Sequence, residues 1–140
     1  MTATYQAGSV CYELVEDWAK LPDGWTLGDV GGVAVDDRDN VYIFHRGEHP
    51  LIVLDRDGAI LRSWGEDLFT RPHGIHIGAD GFVYCTDDGD HTVRKLTPDG
   101  RVVMTLGVPG RPSEPMSGAP FNRCTHTALS PTGEIYVSDG

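Results

Sequence analysis

The stretch Val33–Gly47, VAVDDRDNVYIFHRG, decides the fold because its pattern returns 42 positions later, at Ile75–Gly89, as IHIGADGFVYCTDDG. In both copies a short apolar strand is followed by an Asp-containing turn and by a second strand rich in β-branched and aromatic residues. The same spacing continues further on, where Asp57-Gly58 recurs as Asp99-Gly100. A repeat of about 40–50 residues that is built from short strands is typical of a β-propeller blade.

Two further strands complete each blade, and Asp-Gly pairs supply the positive-φ residue that a hairpin turn needs. The strands predicted for the first blade are Val33–Val35, Val41–Phe44, Leu51–Leu54 and Ile60–Trp64. Those predicted for the second blade are Ile75–Ile77, Phe82–Cys85, Thr92–Leu96 and Val102–Leu106. The pattern therefore predicts an all-β fold, an incomplete β-propeller of about two and a half blades.

The turns and a Pro/Gly-rich stretch divide the chain into segments. We predict an N-terminal segment at 1–29, blade 1 at 30–66, blade 2 at 67–107, an inter-blade loop at 108–123 and the start of a third blade at 124–140. Cys11–Val15 is predicted to be an outer strand that pairs with the last blade and closes the ring. Because a closed propeller takes about 4–8 blades, we expect an N-terminal part of a longer protein, with the remaining blades missing from this chain.

Composition limits the partners. The net charge of −10, from 21 acidic and 11 basic residues, disfavours nucleic acid and anionic membranes, and a small-molecule or peptide substrate is expected instead. Cys11, Cys85 and Cys124 lack metal-site spacing, which predicts reduced and mostly buried thiols. The N-terminus shows no basic segment followed by an apolar run, so no signal peptide is visible and a cytoplasmic location is expected.

Aligning the copies with one another separates residues that recur from residues found in one copy. Four residues differ from their counterparts in the other copies. His73 corresponds to Gly31, and His126 corresponds to Gly32 and Gly74. Arg46 corresponds to Asp88, and His45 corresponds to Asp87 and Asp139. By contrast, His49 and His91 occupy the same repeat position, which predicts a role in the scaffold. His76 is predicted to be a packing residue. Asp36–Asn40 lacks the spacing of a calcium loop and is predicted to be a plain hairpin turn.

The residues that differ are predicted to ring one mouth of the central channel, because antiparallel neighbours bring a strand start beside a strand end. Histidine, arginine and aspartate together indicate a metal or oxyanion site. His45, Asp87, His126 and Asp139 would form an additional site there. Two alternatives stay open: a lone histidine is more often a bystander, and Arg46 could be a structural partner of Asp87 in the neighbouring blade.

The blade pattern resembles NHL-repeat proteins, which form six-bladed propellers. More specifically, Gly31–Asp36 followed by Asn40–His49 resembles the first blade of peptidyl-α-hydroxyglycine α-amidating lyase, with a Phe-His-Arg-Gly-acid-His core. Pro72–Ile75 in the second blade and Tyr136–Gly140 in the third are also similar to that family. The similarity extends over 27–140 of the chain.

The resemblance implies an activity and a metal site. That family cleaves a peptidyl-α-hydroxyglycine to a peptide amide and glyoxylate, with a zinc held by three histidines, a catalytic arginine and tyrosine, and a structural calcium. By motif, His73 would be the first zinc ligand, Arg46 the catalytic arginine and the carbonyl of Ile75 a calcium ligand. The other two histidines and the tyrosine would follow Gly140. The chain departs from the family at His126, where an aspartate is usual.

Three functions follow for the whole propeller. The first is a zinc-dependent carbon–nitrogen lyase, for which the isolated chain is expected to be inactive because one histidine does not hold a catalytic zinc. The second is a non-catalytic NHL propeller that binds a protein or a small ligand. The third is a metal-dependent hydrolase of the lactonase type. The choice rests on His73 and Arg46, since a fold by itself does not fix a function.

Overall fold

The computed structural model describes residues 3–140, and this part of the chain is built from strands, turns and loops without a helix. The strands are β1 Thr4–Ala7, β2 Val10–Glu13, β3 Val30–Val35, β4 Val41–His45, β5 Leu51–Leu54, β6 Ile60–Trp64, β7 Pro72–Ile77, β8 Val83–Asp87, β9 Thr92–Leu96, β10 Val102–Leu106, β11 His126–Leu129 and β12 Ile135–Ser138. In residues 3–140 there is accordingly no helix that could cross a membrane.

Two four-stranded antiparallel sheets form the two blades. Blade 1 has the order β3-β4-β5-β6 and blade 2 the order β7-β8-β9-β10, each in chain order from the inner strand outwards. Strands β11 and β12 pair as the start of a third sheet. The prediction of an all-β, partial β-propeller is confirmed, whereas the segment boundaries themselves stay a prediction.

The inner strands begin earlier than the sequence predicts. β3 starts at Val30 and β7 at Pro72, and both ladders pass through an irregularity before the pairs Val30–His45 and Pro72–Asp87. Alternating apolar residues predict only the regularly paired part of a strand. The first residues of β3 and β7 lie beyond a bulge, so the alternation does not predict them. The extension carries each inner strand to the end of its neighbour, where the candidate residues lie.

The N-terminal hairpin is an addition to the predicted plan. β1 pairs with β2 in register from Thr4–Glu13 to Ala7–Val10, and both strands are exposed along their length. The strand predicted at Cys11–Val15 is therefore shifted to Val10–Glu13, and β1 was missed because TYQA is short and mostly polar. The ring-closing role of this segment stays a prediction.

Apolar side chains fill the space between blades 1 and 2 and bury one face of each sheet. The cluster joins residues of both blades: Tyr42, Phe44, Leu51, Val53, Trp64, Ile75, Val83, Cys85 and Leu96. The opposite face of blade 1 is covered by Trp18, Leu21 and Trp25 from the N-terminal segment. Each such buried side chain contributes about 1.5–3 kcal/mol relative to an exposed one, so blade-on-blade packing holds the strands at the edges where the site residues lie.

Two of the three cysteines lie in such packed surroundings. Cys85 and Cys124 are buried, and Cys11 is exposed on the hairpin. Burial raises the pKa of the Cys124 thiol to about 12 and raises that of Cys85 further. Both buried thiols are therefore protonated at neutral pH.

Candidate functional site

Inner-strand starts and second-strand ends meet at one edge of the molecule. Pro72 pairs with Asp87 across blade 2, and His126 pairs with Ser138 across the third sheet. Arg46 follows β4, and His73 is the second residue of β7. The folded chain thus brings Arg46 and His73 to the same edge, which we call the site edge.

A recurring hydrogen bond occupies three of the predicted site positions. In every copy the side chain at the end of the second strand accepts a backbone N–H from the residue 17 positions earlier. We call this bond the loop latch, and its three versions are Gly28 N to His45 Nδ1 at 3.1 Å, Thr70 N to Asp87 Oδ2 at 2.5 Å and Asn122 N to Asp139 Oδ1 at 2.7 Å. The latch ties the loop before each blade to that blade.

The latch and its neighbouring bonds occupy both carboxylate oxygens of Asp87 but one ring nitrogen of His45, whose buried Nε2 has no partner among residues 3–140. Asp87 is fully buried and its Oδ1 also accepts N–H groups from Arg71, Gly89 and Asp90. His45 is equally buried, its Nδ1 also accepts the N–H of Gly47, and burial lowers its pKa. A ligand would have to replace these bonds. The additional site at these positions stays a prediction, and the bonds show a scaffold role that the sequence did not reveal.

Arg46 reaches from blade 1 to the inner strand of blade 2. Its Nε–H donates to the carbonyl of Pro72 at 3.1 Å, and its Nη1 lies 3.6 Å from Oδ2 of Asp29. The alternative of an ion pair between Arg46 and Asp87 is wrong, because backbone N–H groups surround the Asp87 carboxylate. The guanidinium is therefore anchored on the residue that precedes His73.

The Arg46–Asp29 pair has a counterpart in blade 2 with the charges exchanged. Arg71 stands at the repeat position of Asp29 and Asp88 at that of Arg46, and Arg71 Nη1 lies 3.0 Å from Asp88 Oδ2. An ion pair between these positions is thus a feature of the blade. What blade 1 adds is a cation that also contacts its neighbour, through the Pro72 carbonyl.

His73 is held by one ring nitrogen. Its Nδ1 lies 3.0 Å from the carbonyl oxygen of Thr125, and the side chain is half-buried. A carbonyl only accepts, so Nδ1 carries the proton in this bond. No hydrogen-bond partner of Nε2 is found between residues 3 and 140. With the proton on Nδ1, the lone pair of a neutral ring is on Nε2, as a metal-binding imidazole requires.

His126 lies beside His76. The two ring centroids are 6.5 Å apart, and the Nδ1 of His126 lies over Gly74, 2.7 Å from where a Cβ on that glycine would stand. His76 is half-buried next to Tyr84, in keeping with the predicted packing role. Burial, and then the charge of His126, lower the pKa of His76 against an opposing effect of Asp80. His126 is exposed at the start of β11, and these contacts place its ring beside the inner strand of blade 2.

Residues 3–140 contain no complete metal site. Ile75 has a buried side chain in the inter-blade core and a backbone paired with Cys85, and its calcium role stays a prediction. Between residues 3 and 140 no group of three or more His, Cys, Asp or Glu side chains is arranged to hold a metal ion. His73 is thus a single donor at the site edge.

Thr86 is a site-edge residue that sequence reasoning missed. Its hydroxyl accepts the N–H of Gly74 at 2.8 Å and donates to the carbonyl of Thr125 at 2.7 Å, the same oxygen that binds His73. The self-alignment contained a signal, because the counterpart of Thr86 in blade 1 is Phe44. A hydroxyl is therefore not demanded by the blade.

The recurring histidines hold loops. His49 stacks on Trp25 with ring centroids 3.5 Å apart and lies 3.0 Å from Glu66, which keeps the pKa of that carboxyl low. His91 Nδ1 accepts the N–H of Arg123 at 3.0 Å. His49 thus joins blade 1 to the segment before it, and His91 joins blade 2 to the loop after it. These structural contacts agree with the predicted scaffold role.

A groove lies at the opposite end of the strands. This groove of about 1680 Å³ is lined by the turns after β3, β7 and β11. Its polar groups bind one another: Lys95 Nζ lies 2.7 Å and the Tyr84 hydroxyl 2.8 Å from Asp80 Oδ2, and Arg62 donates to the Tyr42 hydroxyl at 3.2 Å. The groove is large but offers few free reactive groups, so we place the candidate site at the site edge.

Sequence comparison finds relatives with two kinds of name. The chain is 36% identical over 154 residues to the peptidylglycine alpha-amidating monooxygenase of Rattus norvegicus, covering 90% of the chain and 16% of that protein. It is 33% identical to NHL repeat-containing protein 3 of Homo sapiens, covering 98% of the chain and 42% of that protein. Peptidyl-alpha-hydroxyglycine alpha-amidating lyase 2 of Drosophila melanogaster is 29% identical, with 91% and 37% covered. The chain spans less than half the length of these relatives.

Solved structures support the fold. Virginiamycin B lyase from Staphylococcus aureus superposes with a TM-score of 0.59 at 18% identity, covering 79% of this chain and 34% of that one. A streptogramin B lyase gives a TM-score of 0.51 at 20% identity, covering 83% and 43%. At such low identity the likeness concerns the fold alone. No family model matches the chain.

Proposed function

Since the chain is a partial NHL-type propeller homologous to the peptidylglycine amidating enzymes and to NHL repeat-containing protein 3, we propose that the complete propeller is a zinc-dependent carbon–nitrogen lyase. Its substrate is a peptidyl-α-hydroxyglycine, and its products are a peptide amide and glyoxylate. The site edge of blades 1 and 2 supplies one metal ligand and one cation to this reaction.

The state of His73 is the observation that carries the proposal. Its Nδ1–H is bound to the Thr125 carbonyl, which leaves the Nε2 lone pair for a metal. The counterpart in blade 1 is Gly31, so the blade itself does not require an imidazole here. When bound, zinc would supply a Lewis acid that favours ionisation of the substrate hydroxyl.

Arg46 is suited to stabilise negative charge on the substrate. The Nε bond to Pro72 fixes the guanidinium plane, and Asp29, its ion-pair partner, is 84% exposed and 3.6 Å away. Donors that are held in place and weakly compensated stabilise a developing charge best. In the reaction the O–H electrons form the new C=O, the C–N bond breaks and the amide nitrogen takes up a proton.

A carbonyl such as that of Ile75 is a hard oxygen donor, which suits calcium. We assign calcium a structural role at the inner strands, because carbonyls at the centre of a propeller come from several blades. The proposal therefore includes two metals with different ligands: zinc on imidazole nitrogen and calcium on backbone oxygen.

A non-catalytic propeller is the second candidate. It is favoured by the relationship to human NHL repeat-containing protein 3, which covers 98% of the chain. In this case Arg46 and His73 would bind a protein or a small ligand without bond cleavage. Turnover separates the two candidates.

The test uses the complete propeller, because one imidazole does not hold a catalytic zinc. Zinc content is measured by mass spectrometry, and turnover of an α-hydroxyglycine peptide by glyoxylate release. We expect His73→Ala to lose both zinc and turnover, and His76→Ala, on the same strand, to keep zinc. Arg46→Ala should keep zinc and lose about 100-fold in turnover. Equal zinc in His73→Ala and wild type would refute His73 as a zinc ligand, and no turnover by a zinc-loaded wild type would refute the lyase.

A further inference from the structure

We propose that Thr86 is a positioning residue that holds His73 in the tautomer with a free Nε2. It acts through the carbonyl of Thr125, which both side chains bind. The zinc part of this inference rests on the proposed function, whereas the control of the tautomer does not.

Four groups form a closed ring of hydrogen bonds. Gly74 N–H donates to Thr86 Oγ1 at 2.8 Å, Thr86 Oγ1 donates to Thr125 O at 2.7 Å, and His73 Nδ1 donates to the same oxygen at 3.0 Å. Gly74 follows His73 in the chain, which closes the ring. We call these four residues the cross-blade clamp, because it joins β7 and β8 to the residue before β11.

The direction of each bond in the clamp is fixed by chemistry. A hydroxyl has one proton to donate. The Thr86 Oγ1 lies 2.7 Å from Thr125 O but 3.3 Å from Gly74 O, so the proton goes to Thr125. A carbonyl oxygen has two lone pairs, so Thr125 accepts from Thr86 and His73 together. Thr86 is fully buried, and its partners His73 and Thr125 are half-buried. The position of the Thr125 carbonyl, and with it the proton on His73 Nδ1, therefore depends on Thr86.

The clamp is specific to blade 2. In blade 1 its two side-chain positions are held by Phe44, which packs edge-on against Phe69 at 4.7 Å, and by Gly31. The third sheet has a hydroxyl at the Thr86 position, Ser138, but Thr125 at the His73 position, so a hydroxyl recurs there without an imidazole. What blade 2 adds is a hydroxyl and an imidazole that bind the same carbonyl oxygen.

The clamp also leaves no spare volume. A Cβ on Gly74 would stand 2.8 Å from Thr86 Oγ1 and closer still to the Thr125 carbonyl. Because the backbone and the hydroxyl are in contact, a shift of Thr125 is transmitted to β7 at the residue next to His73. The geometry therefore couples the third sheet to the imidazole.

The experiment reads the tautomer directly. The protein is labelled with 15N histidine, the His73 signals are assigned with His73→Gln, and the ring nitrogen shifts are recorded in mildly alkaline buffer. We expect the Nδ1–H form to dominate in wild type and in Thr86→Ser, and a mixture of tautomers in Thr86→Val. Thr127→Val is the matched control, because Thr127 is buried and its hydroxyl has no partner among residues 3–140.

Zinc affinity of the complete propeller is the second measurement. Loss of a residue that orients a metal-binding histidine typically weakens metal binding about 10–100-fold, and we expect this range for Thr86→Val but not for Thr127→Val. If Thr86→Val does not fold, Thr86→Ser and Thr86→Ala replace it, since both lose the methyl group and only one keeps the hydroxyl.

The outcomes separate the two proposals. An unchanged tautomer in both Thr86→Val and Thr86→Ala overturns the positioning role, even if these variants are less stable. A tautomer shift with weaker zinc binding supports it. If the variants shift the tautomer but the wild-type propeller binds no zinc, the positioning role is supported and the proposed function is refuted.

Discussion

Blade 1 and blade 2 share strand order, ladder register and the loop latch. They differ at positions whose side chains contact a neighbouring sheet. Phe44 fills the apolar core where Thr86 binds the third sheet, and Gly31 lies where His73 binds Thr125. The repeat therefore fixes the backbone bonds and leaves the cross-blade positions free to vary. The chemistry of the molecule resides in those positions.

The loop latch shows how tolerant the shared plan is. His45 holds its loops with two accepted N–H bonds, and Asp87 does so with four. A neutral ring and a carboxylate thus serve the same backbone geometry with different numbers of acceptors. The strength of the latch, rather than its existence, differs between the blades.

The largest effect is expected from removing the stronger latch. Asp87→Ala leaves up to four backbone N–H groups without their partner, and a buried unsatisfied donor costs about 1–3 kcal/mol, so we expect a loss of more than about 3 kcal/mol in the free energy of unfolding. His45→Ala should lose about 2 kcal/mol, because two bonds are involved. Urea denaturation measures both. Equal losses would mean that the two latches do not differ in strength.

Glycine substitutions sharpen the comparison at the inner strands. A Cβ on Gly74 meets the Thr125 backbone and His126, whereas one on Gly32 meets Cγ2 of Ile75 at 3.1 Å and its N at 3.2 Å. Because a side chain moves more easily than a backbone, Gly74→Ala should lose about 3 kcal/mol and Gly32→Ala about 1 kcal/mol. Thermal unfolding compares the two variants. The reverse order would contradict the tight clamp in blade 2.

The exchanged ion pairs are expected to differ in a smaller way. Asp88 is buried and its Oδ1 has no partner among residues 3–140, so Arg71→Ala leaves a buried carboxylate without its cation. We expect a loss of about 2 kcal/mol. Asp29→Ala removes an exposed partner at 3.6 Å and should change stability by less than about 0.5 kcal/mol. Denaturation of the two variants in parallel tests this, and a larger effect of Asp29→Ala would contradict it.

The smallest effect is a pH dependence specific to blade 2. His76 has Ala34 as its counterpart in blade 1, and burial and His126 lower its pKa. A histidine with a lowered folded pKa favours the folded state above its unfolded pKa of about 6.5. That stability is lost as the pH falls through the lowered value.

We therefore expect His76→Ala to reduce the loss of stability on acidification below about pH 6.5, measured as the urea midpoint at each pH. Part of the loss should remain, because burial also lowers the pKa of His45 in blade 1. Asp80, which opposes the shift of His76, stays paired with Lys95 in this variant. Identical pH profiles for wild type and His76→Ala would exclude His76 as a contributor.

Much of the fold could be predicted because it rests on local signals. Asp57-Gly58 and Asp99-Gly100 end adjacent strands in both blades, with positive φ at Gly58 and Gly100, and the alternating runs between such turns became strands. β1 was missed, since four mostly polar residues carry no such signal. The bulged starts of β3 and β7 were missed because a bulge interrupts the alternation on which the prediction depends.

The candidate site was predictable in part. Comparing the copies identified Arg46 and His73, and the structure brings both to one edge. The comparison of the copies also offered Asp87 as an alternative partner of Arg46, which is wrong. A repeat alignment does not show which acceptors the backbone already occupies. Thr86 differed from Phe44 in the same alignment, but threonine is common in strands and does not by itself indicate a site. The partner of its hydroxyl, the Thr125 carbonyl, is known only from the folded structure.

Local sequence patterns specify the blade: its strands, its turns and the equivalence of positions 42 residues apart. These follow from strand alternation and turn chemistry, which act over a few residues. Three sets of contacts become visible when the sheets are packed together: Arg46 binds Pro72, the latch holds His45 and Asp87, and Thr86 and His73 share the Thr125 carbonyl. Those contacts depend on how one sheet is placed against the next, and this placement is set by packing of side chains that are distant in the chain.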